Sequence, residues 1–355
     1  MKFFSTLIIL SSALAATVSA HEFQSSRPDS HAPISVMGDH THRKGDWMAS
    51  YRFMVMDMDG MRSGNDSIDP SDVFAANYTV TPTKMSMYMH MFGVMHAPSD
   101  KFTLMAMLPY LDTEMDHTIF PMAAPLIALN DGETTFTTRS KGFGDLKLSS
   151  LIKLHTGEND RAHLTIGVSV PTGSISEKDK IPGPGGRIDR QLPAPMQLGS
   201  GSTDFLSGFT YGKQLETWSY GIQGNSVIRL EDNSHGYQLG DKFEALGWLS
   251  WLATPSTSLS VTAYAKTEGE LSGIQRDVGL NPPFAPARRT VTTAFGENYG
   301  GDQAGLRVGV NFLGKDAGAR GHRFALDIDL PLHRDLNGYQ LETDMVATLG
   351  WQKAW

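Results

Sequence analysis

The segment MSMYMHMFGVMHA, from Met85 to Ala97, decides the fold class of this chain. Methionine occupies positions 85, 87, 89, 91 and 95, and histidine occupies positions 90 and 96. A spacing of two is the period at which side chains share one face of a β-strand. The segment is therefore predicted to be a strand that carries a stripe of thioethers.

The same period recurs on both sides of this segment. In WMASYRFMVMD, residues 47–57, one face carries Trp47, Tyr51 and Phe53, while Met54 and Met56 lie on the other. About twelve such runs follow one another between residues 45 and 355, and most are about 10 to 15 residues long. That length suits a tilted strand that crosses a bilayer.

The connections between these runs alternate in length. Short links lie at residues 97–100, 156–160, 214–216, 254–258 and 314–318, and long polar links lie around residues 60–83, 112–141, 172–202 and 268–301. Outer-membrane barrels have short periplasmic turns and longer loops outside. Residues 45–355 are therefore predicted to form an all-β fold, a transmembrane antiparallel up-and-down β-barrel of about 12 strands.

Both ends of the chain indicate export to the outer membrane of a Gram-negative bacterium. Residues 1–20 have Lys2 before a short apolar run, and small residues at 18 and 20, which is typical of a cleaved signal peptide. The last segment, ETDMVATLGWQKAW, resembles the final strand of outer-membrane proteins, although Lys353 departs from that pattern. The expected partners are outer-membrane lipid and the barrel-assembly machinery.

Composition excludes several kinds of site. The chain has no cysteine, so it can form neither disulfides nor thiolate metal sites. Its formal net charge of -8 gives no reason to expect a nucleic-acid partner. No G-x-S-x-G motif or local Ser/His/carboxylate spacing is present, so an enzyme is not predicted.

Methionine is concentrated in one part of the chain, because 15 of its 18 methionines lie between positions 37 and 122. If the apolar stripes of the first and third strands face lipid, their methionines face the lumen. Either face of the strand at residues 85–97 could point outward, and with Tyr88, Phe92 and Val94 outward its methionines join the other two rows. Thioethers favour Cu(I) and imidazoles suit Cu(II), so a metal site is predicted. Its candidate residues are His40, His42, Met54, Met56, Met58, Met85, Met87, Met89, Met91, Met105 and Met107. Adaptable methionine could equally fill the barrel interior or line an apolar site, and the residues leave both interpretations open.

Residues 21–44 precede the first strand and contain the pair His40 and His42. Three placements are open for this segment: a periplasmic extension, a plug inside the lumen, or a disordered lead-in. Met37 lies close to the two histidines in sequence. Beside the methionine rows, the histidine pair is therefore a stronger indication of a metal site than it is alone.

The mature chain resembles a family of bacterial outer-membrane proteins loosely grouped with the phenol-degradation MetA-pathway transporters. The resemblance is carried by HAPISVMGDHTHRKGDWMASYRFM (31–54), APSDKFTLMAMLPY (97–110), GFGDLKLSSL (142–151), VSVPTGSI (168–175) and PMQLGSGSTDFLSGFTY (195–211). It implies a barrel and a transport function, and it supplies no catalytic residue.

The leading hypothesis is an outer-membrane barrel that binds or passes a small solute, with copper or another soft metal as ligand or cargo and no other cofactor. One alternative is a channel for apolar or aromatic small molecules. An alternative of another class is a structural or adhesive barrel, whose working surface would be the loops at 172–202 and 268–301.

Overall fold

The period-two segments of the sequence form long antiparallel strands. The computed structural model describes residues 26–316 and 318–355. The predicted signal peptide, residues 1–20, lies outside the described residues. The strands are β1 (Trp47–Gly64), β2 (Asp66–Ile68), β3 (Tyr78–His96), β4 (Phe102–Ile119), β5 (Thr135–Phe143), β6 (Leu146–Thr156), β7 (Asp160–Val170), β8 (Lys178–Gly183), β9 (Gly186–Gln191), β10 (Asp204–Gln214), β11 (Trp218–Arg229), β12 (Tyr237–Gln238), β13 (Lys242–Thr254), β14 (Thr257–Glu268), β15 (Ser272–Gly273), β16 (Arg289–Val291), β17 (Gly301–Leu313) and β18 (His322–Ala354).

Eleven of these strands close a barrel. The hydrogen-bonded path runs β3, β1, β18, β17, β14, β13, β11, β10, β7, β6 and β4, and β4 pairs back with β3. Strand β5 continues the line of β6 along the far half of β4. The predicted all-β barrel is confirmed.

Strand β18 contributes two of the segments that surround the lumen. Its first part, residues 323–336, is antiparallel to β17, and its second part, residues 336–354, is antiparallel to β1. The registers of all the other strands put residues 323 and 354 at the same end of the barrel, so β18 must reverse direction. It does so at Asn337–Gly338, where Gly338 has a φ of 57°. Asn-Gly is a favoured pair for such tight turns, and the reversal brings the number of segments to the predicted twelve.

The outer face of the barrel is apolar and the inner face is largely polar. In β14, Leu259 and Val261 are 45% and 48% exposed, whereas their neighbours Ser258 and Thr262 are fully buried. A water-soluble protein would have the opposite arrangement. The alternation is that of a transmembrane barrel, in which the apolar side chains form an outer band.

The short and long connections lie at opposite ends, as the sequence predicts. The long-loop end also carries two short helices of the described chain, α1 (Pro70–Ala75) and α2 (Ala124–Ala128), and the β8–β9 hairpin. Within the part of the chain that the structure covers, no helix has the length and apolarity needed to cross a membrane.

Residues 27–42, here called the internal segment, lie inside the barrel towards its short-turn end. Its backbone forms hydrogen bonds with inward-facing side chains from strands all around the wall. Four of its carbonyl oxygens accept: Ile34 O from Arg52 Nε (3.0 Å), Met37 O from Gln223 Nε2 (3.0 Å), Gly38 O from His163 Nε2 (2.8 Å) and Ala32 O from Arg323. Two of its N–H groups donate: Ser35 N to Asp327 Oδ2 (2.9 Å) and His42 N to Thr103 Oγ1 (2.9 Å). Gly350 of β18 faces Ile34, and a Cβ there would overlap the Ile34 side chain. The wall is thus shaped to receive this segment.

Candidate functional site

Three neighbouring strands align their methionines on the inner face of the barrel. In the register of β1 and β3, Met54 lies opposite Met89 and Met56 lies opposite Met87. Directly opposed side chains on one face have Cβ atoms about 4.5–5.5 Å apart. The aligned set, here called the methionine wall, comprises Met48, Met54, Met56, Met58, Met85, Met87, Met89, Met91, Met95, Met105, Met107 and Met115.

The outward neighbours of these residues explain why the thioethers face inward. In β3, Tyr88, Phe92 and Val94 are 44%, 49% and 40% exposed, and they lie on the apolar outer face. Because side chains alternate along a strand, Met87, Met89 and their row must face the lumen.

The two ends of the methionine wall are packed. At the short-turn end, Met48, Met91, Met95, Met105 and Met107 form a buried cluster with Leu151, against which Met37 of the internal segment packs. At the long-loop end, Met61, Met85 and Met115 form a second buried cluster with Leu192 and Met196. In these two clusters methionine serves as core.

Four neighbouring methionines in the middle of the wall are only partly buried. Met54, Met56, Met87 and Met89, here called the central quartet, consist of two directly opposed pairs. Met87, like the partly buried Met58, packs against the long-loop cluster, and Met89 packs against the short-turn cluster. The central quartet is therefore a partly exposed stretch of the wall between two packed ends.

The two sequence-predicted histidines lie on the internal segment and not on the wall. His40 and His42 are both buried, and their rings are in contact with centroids 4.8 Å apart. His40 Nδ1 donates to Asp39 Oδ1 at 2.8 Å. Met37 packs this segment against the short-turn end of the methionine wall. The predicted residues therefore share one lumen, but the histidines and the methionines form two separate groups.

Sequence reasoning missed the residues that hold and complete the histidine group. His31 lies against His40, with ring centroids 4.7 Å apart, although nine positions separate them in sequence. Arg323 and Asp327 of β18 bind the backbone of the internal segment. No periodic pattern marks such long-range partners.

The wall opposite the methionines is charged. Arg307 donates to Glu244 at 2.7 Å and to Asp329 at 2.9 Å, and its guanidinium lies over the ring of Tyr264. The lumen therefore has one thioether side and one ionic side. An ion that passes between them meets soft ligands on one side only.

A cavity of about 590 Å³ lies among the long loops. Much of its lining is apolar and includes Val80, Leu126, Phe136, Ile181 and Phe284. A volume in the range of small-molecule sites, with a mainly apolar lining, suits a small apolar molecule.

Comparisons with known proteins give a fold relationship. No protein-family model matches the chain, and no curated protein matches it. The solved COG4313 outer membrane channel from Pseudomonas putida F1 is similar, with 15% identity over 90% of this chain and 99% of that chain and a TM-score of 0.59. A deltaS2 mutant of the TodX monoaromatic hydrocarbon channel has 10% identity over 88% of this chain and 91% of that chain, with a TM-score of 0.46. The first likeness places the chain among barrels with the fold of an outer-membrane channel.

Proposed function

We propose that this protein is an outer-membrane barrel that binds Cu(I), or a similarly soft ion, on the central quartet and passes it along the lumen. The observation that carries the proposal is the register that sets Met54 against Met89 and Met56 against Met87. Four partly exposed methionines on two adjacent strands offer the ligand type that Cu(I) prefers. Because the chain has no thiol, thioethers are its softest donors.

Packing accounts for the two ends of the methionine wall better than for its centre. The end clusters are buried and include leucines, so any adaptable apolar side chain would serve there. The central quartet faces the lumen and is only half-buried. Its concentration of one residue type at a partly exposed surface supports a ligand role, although Met87 and Met89 also touch the end clusters.

Titration of the detergent-folded protein with Cu(I), in competition with a chelator, tests the proposal. We expect the protein to take Cu(I) from a chelator of micromolar affinity, with at least one ion bound per chain. A protein that leaves all the Cu(I) on the chelator would contradict a soft-metal function.

The proposed location is the outer membrane of a Gram-negative bacterium. Its support is the apolar outer band, the fold shared with an outer-membrane channel, and the predicted signal peptide and C-terminal assembly signal. Lipid and the barrel-assembly machinery are partners that follow from this location. The grouping with phenol-degradation transporters remains a prediction from sequence resemblance.

Val261→Arg tests the lipid-facing assignment. Val261 lies near the middle of β14 on the outer face, and an arginine near the bilayer midplane of a barrel costs about 2–4 kcal/mol. We expect that loss in the free energy of unfolding from lipid vesicles, measured by tryptophan fluorescence in urea. Thr254→Arg, at the end of the preceding strand in the same hairpin, is the control and should cost at most about 1 kcal/mol. Equal costs at the two positions would argue against a bilayer around β14.

A second candidate solute is an apolar or aromatic small molecule, and the observation that favours it is the cavity among the long loops. Phe284→Ala removes a large apolar side chain from its lining. We expect toluene binding to weaken roughly tenfold, about 1.4 kcal/mol, measured by calorimetry. Phe324→Ala, on the outer face of β18, should leave toluene binding unchanged. If the wild-type protein binds no toluene, this candidate is eliminated.

A further inference from the structure

The internal segment folds back on itself and brings together three potential metal ligands. One nitrogen each from His31 and His40 and one oxygen from Asp39 lie within 4.8 Å of one another. His40 Nδ1 is 2.8 Å from Asp39 Oδ1, and His31 Nδ1 is 3.9 Å from Asp39 Oδ2. These residues are separate from the methionine wall and offer nitrogen and oxygen ligands in place of sulfur.

Two imidazole nitrogens in this region are buried and have no hydrogen-bond partner among the residues that the structure describes. They are His31 Nδ1 and His42 Nε2, and His42 is only 7% exposed. A buried polar group left unpaired costs about 1–3 kcal/mol. A metal ion bound by His31 Nδ1 would remove that cost. The buried nitrogen therefore has a partner when a metal is bound and lacks one otherwise.

The three residues lie near enough to share one ion after small side-chain shifts. Ligands about 2.0–2.1 Å from a Zn²⁺ ion are about 3.4 Å from each other. His31 Nδ1 is 3.9 Å from Asp39 Oδ2, whereas His40 Nδ1 is 2.8 Å from Asp39 Oδ1 because a hydrogen bond joins them. Binding an ion at His40 Nδ1 would replace that hydrogen bond, and the imidazole proton would move to Nε2. Asp39 Oδ2 also accepts from the backbone N–H of Ala32 at 3.0 Å, which fixes the carboxylate in the way that outer-shell bonds orient metal ligands.

We infer that His31, Asp39 and His40 form a binding site for a divalent transition-metal ion, Zn²⁺ or Cu²⁺. This inference goes beyond the Cu(I) function proposed for the methionine wall, because it concerns different residues and ions of different softness. Two imidazoles and one carboxylate suit such ions, whereas Ca²⁺ and Mg²⁺ take oxygen ligands. Water or a solute would complete the coordination.

An ion bound here would link position 31 to positions 39 and 40. It would close the stretch of the internal segment whose Ile34 and Ser35 are held by the barrel wall.

The test is calorimetric titration of the full mature chain, folded in detergent, with Zn²⁺ alone. We expect one Zn²⁺ per chain, and in His31→Gln an affinity at least about tenfold lower. The control is His155→Gln, which removes an exposed imidazole that also pairs with a carboxylate, Asp160, but lies outside the internal segment. Equal Zn²⁺ binding by wild type and His31→Gln would overturn the inference.

A second measurement needs no variant. Co²⁺ bound by two imidazoles and a carboxylate in a near-tetrahedral site should give the wild-type protein intense visible absorption bands that Zn²⁺ abolishes. Their absence at saturating Co²⁺ would also overturn the inference, and it would do so even if His31→Gln failed to fold. Migration of unheated protein in SDS gels reports whether each variant forms the barrel.

The Cu(I) proposal and this inference can fail separately. A protein in which the central quartet is changed to leucine should keep its Zn²⁺ affinity, because none of the four methionines belongs to the histidine site. His31→Gln should keep its Cu(I) affinity for the same reason. If either variant lost both Cu(I) binding and Zn²⁺ binding, the two sites would not be independent.

Discussion

Replacing Met54, Met56, Met87 and Met89 with leucine is expected to lower the Cu(I) affinity at least about 100-fold, or ~2.8 kcal/mol. The change removes four thioethers that are opposed in pairs across β1 and β3. Leucine has nearly the same volume as methionine, so each exchange should cost less than about 1.5 kcal/mol of stability. Competition with a Cu(I) chelator measures the affinity, and thermal unfolding measures the fold.

The matched control replaces two methionines that do not face the lumen with leucine. Met345 is exposed on the outer face, and Met122 is 81% exposed in a long loop. Met122→Leu with Met345→Leu should bind Cu(I) like the wild type. If the central quartet variant also retains full affinity, the methionines act as packing, and the apolar cavity becomes the better guide to the solute.

Deleting residues 21–44 should raise the single-channel conductance several-fold. The internal segment fills the lumen at the short-turn end, where Ile34 and Val36 are almost completely buried and the backbone is bonded to strands all around the wall. A path for ions at that end requires its removal or displacement. We therefore propose that it acts as a plug, and recordings in planar bilayers measure the effect.

A graded variant separates the plug effect from general damage. Asp327→Ala removes the acceptor of two bonds from Ser35, so we expect intermittent openings with a smaller mean increase in conductance. Asp66→Asn, at an exposed position at the long-loop end, should conduct like the wild type. A deletion variant that forms the barrel and conducts no better than the wild type would place the constriction elsewhere, for example among the long loops.

The sequence alone was sufficient for the barrel and for the face that most strands turn outward, whereas for β3 it left either face open. Period-two hydrophobicity is a local property, so WMASYRFMVMD and MSMYMHMFGVMHA reveal their apolar stripes without any knowledge of their partners. The alternation of short and long links gave the up-and-down connectivity in the same way. Strands β1, β3 and β4, with 18, 19 and 18 residues, are longer than predicted, because pairing with neighbouring strands extends them beyond their apolar runs.

Only the tertiary structure decided which methionines are opposed, where the N-terminal residues lie and which groups meet the histidines. Period two fixes a side chain's face and leaves its cross-strand partner open, so the pairing of Met54 with Met89 had to come from the register. The internal segment has no period at all, and side chains from distant strands, such as Arg323 and Asp327, hold it in place. His31 joins Asp39 and His40 through a fold of the chain held by these long-range bonds, and contacts of that kind leave no pattern in the local sequence.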